Sequence, residues 1–339
     1  VSSCLLGEQV RYDGGHKRHE FLADALGPHV DWVPFCPEMS IGLGTPRETL
    51  RLTADDRLVN RSNTADHTAA MAALPLPGNG DGINGSGDID GSRGSNGADG
   101  SASLDGYVFK TKSPSCGIRG IPRYADSGQA ADRSGRGVFA ARVLAAFPLL
   151  PVEDEGRLAD AGLREAFTER IFAYARLREL FTGHWQPRDL VAFHARHKLQ
   201  LLAHDPARYR LAGQLVTEAG RRPRAHVEAG YRELFCTALT GAATRGRHTN
   251  ALLHAFSQIS ELIDDTRRAD IAARIEAYRR GEAPISEPVA LLTQHARGDG
   301  LDWLAEQTYL APYPAALRAA SQAGTCPPAL RRGRQPMCG

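Results

Sequence analysis

The chain has 339 residues, 42% of them hydrophobic and 24% charged, with a formal net charge of +2, a length that sets a prior of two domains. No run of about eighteen apolar residues offers a membrane-spanning helix, and the opening Val-Ser-Ser-Cys offers no basic leader or apolar segment to read as a signal peptide. Six cysteines stand at 4, 36, 116, 236, 326 and 338; a small secreted scaffold packs its cysteines densely, so these read as thiols of a reducing, cytoplasmic compartment.

In chain order, a strand leading into Cys4 requires residues upstream of Val1. Residues 17–26 carry helix-like apolar spacing, and Asp31-Trp-Val-Pro-Phe35 is a short β-prone run. Gly106-Tyr-Val-Phe-Lys110 is a second such run, and Gly135 and Gly137 open a helical pattern over 136–147. Strands alternating with helices predict an α/β domain over 1–150 with an open, mainly parallel sheet. Residues 77–103 interrupt it with Gly, Asp, Ser and Asn and almost no apolar side chains. Such a segment buries too little to offset its ordering entropy, so a flexible insertion is expected there.

Residues 147–162 look like a linker, the link proper being 151–162. From 163 the period is helical: Leu163, Phe167, Ile171, Tyr174, Leu177 and Phe181 share a face. Pro187 and Pro206 suit a first helical turn, with Asp205 as N-cap of the second. Further helical patterns cover 225–240, 248–264, 266–280 and 287–296, so 163–314 is predicted all-α. The Pro- and Arg-containing stretch 315–339 is expected to be a loose tail. Charge divides along the same line. Residues 1–164 hold 17 Lys+Arg against 21 Asp+Glu, and residues 165–339 hold 24 against 18, a tilt from −4 to +6. The excess is almost all Arg, which matches phosphate and stacks on bases, or simply makes a solvated surface.

Cys4, Cys36 and Cys116 each sit just past a probable strand end, the edge where an open α/β sheet binds ligands. Three thiolates suit a soft metal, either zinc or an iron–sulfur cluster. They lack the paired spacing and fourth ligand of structural zinc. Buried core thiols are the plainer alternative.

The flanks of these cysteines carry a resemblance. Cys4-Leu-Leu-Gly-Glu-Gln-Val-Arg-Tyr-Asp-Gly-Gly-His-Lys17, Cys36-Pro-Glu-Met-Ser-Ile-Gly-Leu-Gly-Thr-Pro-Arg47 and Lys112-Ser-Pro-Ser-Cys-Gly117 together resemble the TudS-type thiouracil desulfidase family, over residues 1–75 and 105–150. The 77–103 insertion departs from that pattern. Arg176-Leu-Arg-Glu-Leu-Phe181 and Leu190-Val-Ala-Phe-His-Ala-Arg-His-Lys-Leu-Gln-Leu-Leu-Ala-His-Asp205 resemble the helical domain fused to it in RudS-like proteins. The resemblance implies a 4Fe–4S cluster on Cys4, Cys36 and Cys116, with one iron open to a thiobase sulfur. It also implies non-redox, hydrolytic removal of sulfur from 4-thiouridine in tRNA.

Hydrolysis needs a proton carrier, and Glu38 is the candidate; as a plainer role it stabilises a helix N-terminus. Ser113 is placed to orient the base or the leaving sulfur, or else caps the turn before Pro114. Arg11, Tyr12, Asp13, His16 and Lys17 are expected at the substrate, although Gly14-Gly15 in their midst can simply make a turn. Arg47 either joins them or pairs with a carboxylate such as Glu48. Arg176, Arg178, His194, Arg196, His197 and Lys198 are the candidates for RNA contact. His194 and His197, at i and i+3, lack a third ligand at zinc spacing, and packing between helices is their alternative. Cys236 reads as core. A desulfidase of free thiouracil, an iron–sulfur RNA-binding sensor and a structural zinc protein are the competing readings.

Overall fold

The structure is a computed structural model that describes residues 1–62, 64–76, 104–125, 127–298 and 301–322. The expectation about 77–103 lies outside them, as does that about 323–339. The chain divides into two units: Val1–Phe167 with the segment from Pro314 onward, and Thr168–Tyr313. No helix among the described residues is long and apolar enough to cross a membrane.

The first unit is α/β. Its elements are α1 (Pro37–Ser40), β1 (Leu50–Thr53), β2 (Leu58–Asn60), α2 (Thr68–Ala73), β3 (Tyr107–Phe109), β4 (Ile121–Tyr124), β5 (Ala130–Gly135), α3 (Val138–Ala146) and β6 (Val152–Asp154). β3 and β6 pair in parallel, with Val108 opposite Glu153. Ser2 extends this ribbon by donating to the Val108 carbonyl at 3.0 Å and by bridging Phe35 in parallel. The second sheet runs β2-β1-β4-β5 and is mixed: β1–β4 is parallel, whereas β1–β2 and β4–β5 are antiparallel. The run 31–35 reaches the sheet through one bridge at Phe35. Val33 and Phe35 supply the bonds there, the Val33 carbonyl accepting from the Val1 amino group at 3.0 Å and the Phe35 N–H donating to the Val1 carbonyl at 2.9 Å.

Two expectations are corrected. The span 151–162 is no bare linker, because β6 lies within it and carries buried Glu153 and Asp154. The segment after Pro314 forms α13 (Ala315–Gln322), with Leu317 buried, packed against a helical turn at Phe21–Leu26. That turn is a π-type stretch shorter than the expected 17–26 helix. Phe35, Tyr107, Phe109 and Phe139 of α3 form the core behind the parallel ribbon, with Phe35 and Phe139 centroids 5.0 Å apart. Each such buried ring contributes roughly 2–3 kcal/mol, which anchors the edge from which the cysteine loops leave.

The second unit is all-α. It comprises the remainder of α4 (Ala161–Thr182) and then α5 (Pro187–Arg196), α6 (Lys198–His204), α7 (Pro206–Glu218), α8 (Arg224–Ala238), α9 (Arg245–Ile259), α10 (Asp265–Arg280), α11 (Ser286–Gly298) and α12 (Asp302–Ala305). Pro187 and Pro206 occupy first-turn positions, and the Asp205 carboxylate accepts from the Ala207 and Arg208 N–H groups at 3.0 Å. α6 is buried along Leu199–His204. It gives Leu201 to one apolar cluster and Leu199 and Ala203 to another. A helix enclosed on all faces must satisfy its polar side chains internally. Glu169 does this for α6, accepting from Gln200 at 2.6 Å and pairing with His204 at 3.3 Å.

Candidate functional site

The three N-terminal cysteines leave the sheet at neighbouring points. Cys4 sits in a 3₁₀ turn directly after the Ser2 pairing, Cys36 directly after the Phe35 bridge as the residue preceding α1, and Cys116 in the loop after β3. All three line one cavity of about 500 Å³. They are free thiols. Among the described residues no three His, Cys, Asp or Glu side chains converge as a single metal ion requires. Three thiols lining one cavity are soft donors, of the type taken by zinc or an iron–sulfur cluster.

Burial, and then the nearness of Cys36, push the Cys4 thiol up to about 11. Burial also raises Cys36, and raises Cys116 further with Cys36 and Glu38 adding to it. Protons on the thiols give way to metal as a soft centre binds. The Cys36 thiol makes one weak contact, with the Val10 carbonyl at 4.0 Å.

Glu38 is at the middle of a brace between two cysteine loops. One oxygen accepts from Ser115 Oγ at 2.9 Å; the other accepts from Arg47 Nε at 2.9 Å and from Arg47 Nη2. Arg47 also donates to the Val10 and Gly44 carbonyls at 2.9 and 3.1 Å. This corrects the Glu48 pairing for Arg47: Glu48 instead accepts from Asn60 and Ser62. Ser113 Oγ accepts from the N–H groups of Ser115 and Cys116 at 3.2 and 3.1 Å, so it caps the turn that presents Cys116. With two lone pairs so used, its hydroxyl proton remains to donate, and Ser113 lines the cavity.

The Cys116 loop is also held from behind. The N–H groups of Val138 and Phe139, opening α3, donate to the carbonyls of Pro114 and Ser115 at 3.1 Å. Gly137 permits that approach, since a Cβ there would stand 2.6 Å from the Ser115 carbonyl.

Of the residues expected at the substrate, Arg11, Tyr12, Lys17 and Arg47 line the cavity; Asp13 and His16 are not among its lining. Asp13 pairs with Arg11 at 3.3 Å and holds the Gly15 N–H, and His16 accepts from the Arg18 N–H. Both therefore shape the turn. Sequence reasoning missed Ser2, Lys110, Lys112 and Ser115. Lys112 and Ser115 lie inside the third motif and were legible there by proximity. Glu155, which pairs with Lys110 and accepts from the Thr111 N–H, gave no local signal.

The residues expected to contact RNA take different surroundings. The helix breaks at His197, between α5 and α6. His197 is 1% exposed, stacked on Phe193 at 3.9 Å, with Nδ1 on the Phe193 carbonyl. His194 bonds Tyr231 at 3.1 Å and stacks on Tyr209. Both histidines follow the packing alternative. Lys198 lies over the Trp303 ring. Arg176 donates to the Pro312 carbonyl and, with Arg196, lines a separate cavity of the helical unit. Arg178 is partly exposed on α4.

Residues 1–75 and 93–155 match the 2-thiouracil desulfurase family, and residues 198–314 match DUF1722, a family of proteins of unknown function. The uncharacterized protein YbgA of Escherichia coli (strain K12) is 32% identical over 146 residues, which is 43% of this chain and 86% of YbgA. The chain belongs to the family of YbgA and joins a 2-thiouracil desulfurase domain to a DUF1722 domain. A solved structure titled [4Fe-4S]-dependent thiouracil desulfidase TudS is 26% identical. The alignment covers 46% of this chain and 89% of that one, with a TM-score of 0.32, too low to compare the folds. The thiol cavity lies within the stretch that matches the desulfurase family.

Proposed function

We propose that the chain is an iron–sulfur desulfidase that converts a thiolated uridine to uridine, with 4-thiouridine in tRNA as substrate. The observation that carries the reading is the meeting of Cys4, Cys36 and Cys116, from three separate loops, in one cavity of a 2-thiouracil desulfurase domain. The donor set fits a 4Fe–4S cluster: three thiols, no fourth protein thiol among the lining residues, and Arg11, Lys110 and Arg47 close enough to offset thiolate charge. A cluster held this way would supply one iron as a soft Lewis acid for the exocyclic sulfur. The net change replaces carbon–sulfur by carbon–oxygen from water, with sulfur leaving as hydrosulfide and no electron exchanged with an outside partner.

The chain's own residues serve that exchange in distinct ways. Glu38 is the one carboxylate among the lining residues, so it is the group able to take the proton of an attacking water. Arg47 and Ser115 hold it in place. The Ser113 hydroxyl donates to the departing sulfur or the base. The basic bias of the helical unit supports RNA as carrier of the base, and it is modest: Thr168–Tyr313 holds 20 Lys+Arg against 17 Asp+Glu, or +3. A free thiobase is the second reading, favoured by the family's description, which names 2-thiouracil.

The test is anaerobic. The chain is reconstituted with iron and sulfide and given tRNA containing 4-thiouridine, and the near-ultraviolet absorbance of the thiobase is followed with sulfide release. Loss of absorbance that disappears in Cys116→Ala is the expected result. Turnover of 2-thiouracil but not of tRNA moves the assignment to the free base, and turnover of neither sinks the desulfidase.

A further inference from the structure

The break between α5 and α6 is built from polar groups that meet one another, with two exceptions. A later segment takes the carbonyls at the end of α5. Gln307 Nε2 donates to the Ala195 carbonyl at 3.0 Å, and Thr308 donates to the Arg196 carbonyl through its N–H at 3.0 Å and its hydroxyl at 3.1 Å. The Phe193 carbonyl accepts from His197 twice, from the backbone N–H at 3.1 Å and from Nδ1 at 2.8 Å. The exceptions are His197 Nε2 and Arg176 Nη1, two enclosed atoms with no hydrogen-bond partner among the described residues. An enclosed polar atom left unmet is costly and uncommon. Both residues line one cavity of about 500 Å³ in the helical unit, a size typical of small-molecule sites.

The role of each atom is fixed. A carbonyl only accepts, so Nδ1 of His197 carries the ring proton. Burial, with the Arg176 and Arg196 charges adding to it, keeps the ring neutral by holding it down at about 3. Nε2 is therefore an acceptor. Arg176 Nη1 is a donor, and Nη2 of the same head is tied to the Pro312 carbonyl at 2.7 Å. Arg196, exposed on the same lining, makes no side-chain ion pair or hydrogen bond among the described residues. Glu179 and Glu306 also line the cavity, but both are exposed, where water and salt screen them. An occupant that meets the two enclosed atoms needs an anionic oxygen for the guanidiniums and an O–H for the imidazole, on one molecule.

We propose that the cavity of the helical unit binds a small oxyanion that carries its own O–H, either hydrogen phosphate or a hydroxycarboxylate. Its anionic oxygens sit on Arg176 and Arg196, and its hydroxyl donates to His197 Nε2. Sulfate at neutral pH has no proton to donate, and neither has a phosphodiester. An RNA backbone would leave Nε2 unmet and is not the occupant. The site stands independently of the desulfidase reading.

Calorimetry on the full chain at neutral pH and constant ionic strength tests this with two matched pairs, phosphate against sulfate and malate against succinate. Within a pair the members differ chiefly in the O–H. The expected result is that in at least one pair the member with the O–H binds about tenfold more tightly or better, because its partner leaves a buried acceptor unpaired. Preference in the first pair assigns an inorganic occupant and preference in the second an organic one. His197→Phe removes the preference. Arg196→Gln, at an exposed position, weakens both members of the pair and serves as the test should His197→Phe lose its thermal transition. Arg210→Gln, an exposed cation of α7 outside the cavity, leaves binding unchanged. Binding of none of the four anions, equal binding within both pairs, a preference that survives His197→Phe, or binding untouched by Arg196→Gln overturns the proposal.

Discussion

Glu38 and Arg47 show what a single residue pair does for the site. Their side chains are 15% and 8% exposed, so each carries a charge largely withdrawn from water. Removing one partner of such a pair leaves the other uncompensated, at a cost of about 3–5 kcal/mol, whereas replacing both is far milder. Arg47→Met is therefore expected to destabilise the first unit by about 3 kcal/mol, and Arg47→Met/Glu38→Leu is expected to recover a good part of it. Urea unfolding of the three proteins checks this; a double variant no better than the single one would show that Arg47 acts through the Val10 and Gly44 carbonyls instead. The pair also marks a limit of sequence reading. The motif residues were legible as a set, and the cysteines met as their strand ends required. Which carboxylate Arg47 takes was not legible, because Glu48 is adjacent in sequence and Glu38 is adjacent in space.

At the level of elements, the junction between the Cys116 loop and α3 carries the most constraint. A Cβ on Gly137 would meet the Ser115 carbonyl carbon and oxygen at 2.6 Å and the Cys116 nitrogen at 2.8 Å, all backbone atoms unable to swing aside. Gly137→Ala is expected to cost about 1–3 kcal/mol through overpacking and, by displacing Cys116, to lower the iron retained after reconstitution. Gly183→Ala, with nothing within 4 Å of its Cβ, should stay within about 0.5 kcal/mol of the parent. Thermal melts paired with iron analysis separate the two, and equal behaviour of the variants would sink the argument. The helical opening at Gly137 was legible because glycine interrupts an otherwise apolar period. The strands of the mixed sheet were not: β5, Ala130–Gly135, is mostly exposed and polar, and an edge strand of that composition carries no alternation to read. The helices of the second unit were legible where they bury one stripe, as α8 and α9 do, whereas α6 is enclosed; the His197 break was not legible, since no proline or glycine marks it.

For the molecule as a whole, the helical unit sets a pH dependence that the first unit does little to offset. Burial holds His194 and His248 down at about 4 and His197 at about 3. Burial also works against charge on His204, but the Glu169 hydrogen bond and charge outweigh it and raise that imidazole. Burial likewise works against charge on Glu169, and the bonds from His204 and Gln200 outweigh it to lower that carboxyl. The signs then separate. A histidine lowered in the folded state leaves the unfolded chain binding more protons below about 6.5, so stability falls as pH drops from there toward the folded value. A raised histidine contributes below its unfolded value and loses that contribution as pH rises through the folded one. The lowered Glu169 contributes above its unfolded value and is lost only on further acidification. Between pH 7 and 5 three imidazoles therefore act against the fold and His204 acts for it. Each of the three withdraws roughly 1–2 kcal/mol by pH 5, so the urea midpoint followed by far-ultraviolet circular dichroism is expected to fall clearly over that interval. His197→Phe, placed between Phe193 and Phe235, should remove about a third of the slope, since one of three comparable groups no longer titrates. A midpoint that holds or rises toward pH 5 would mean that these histidines are charged in the folded unit.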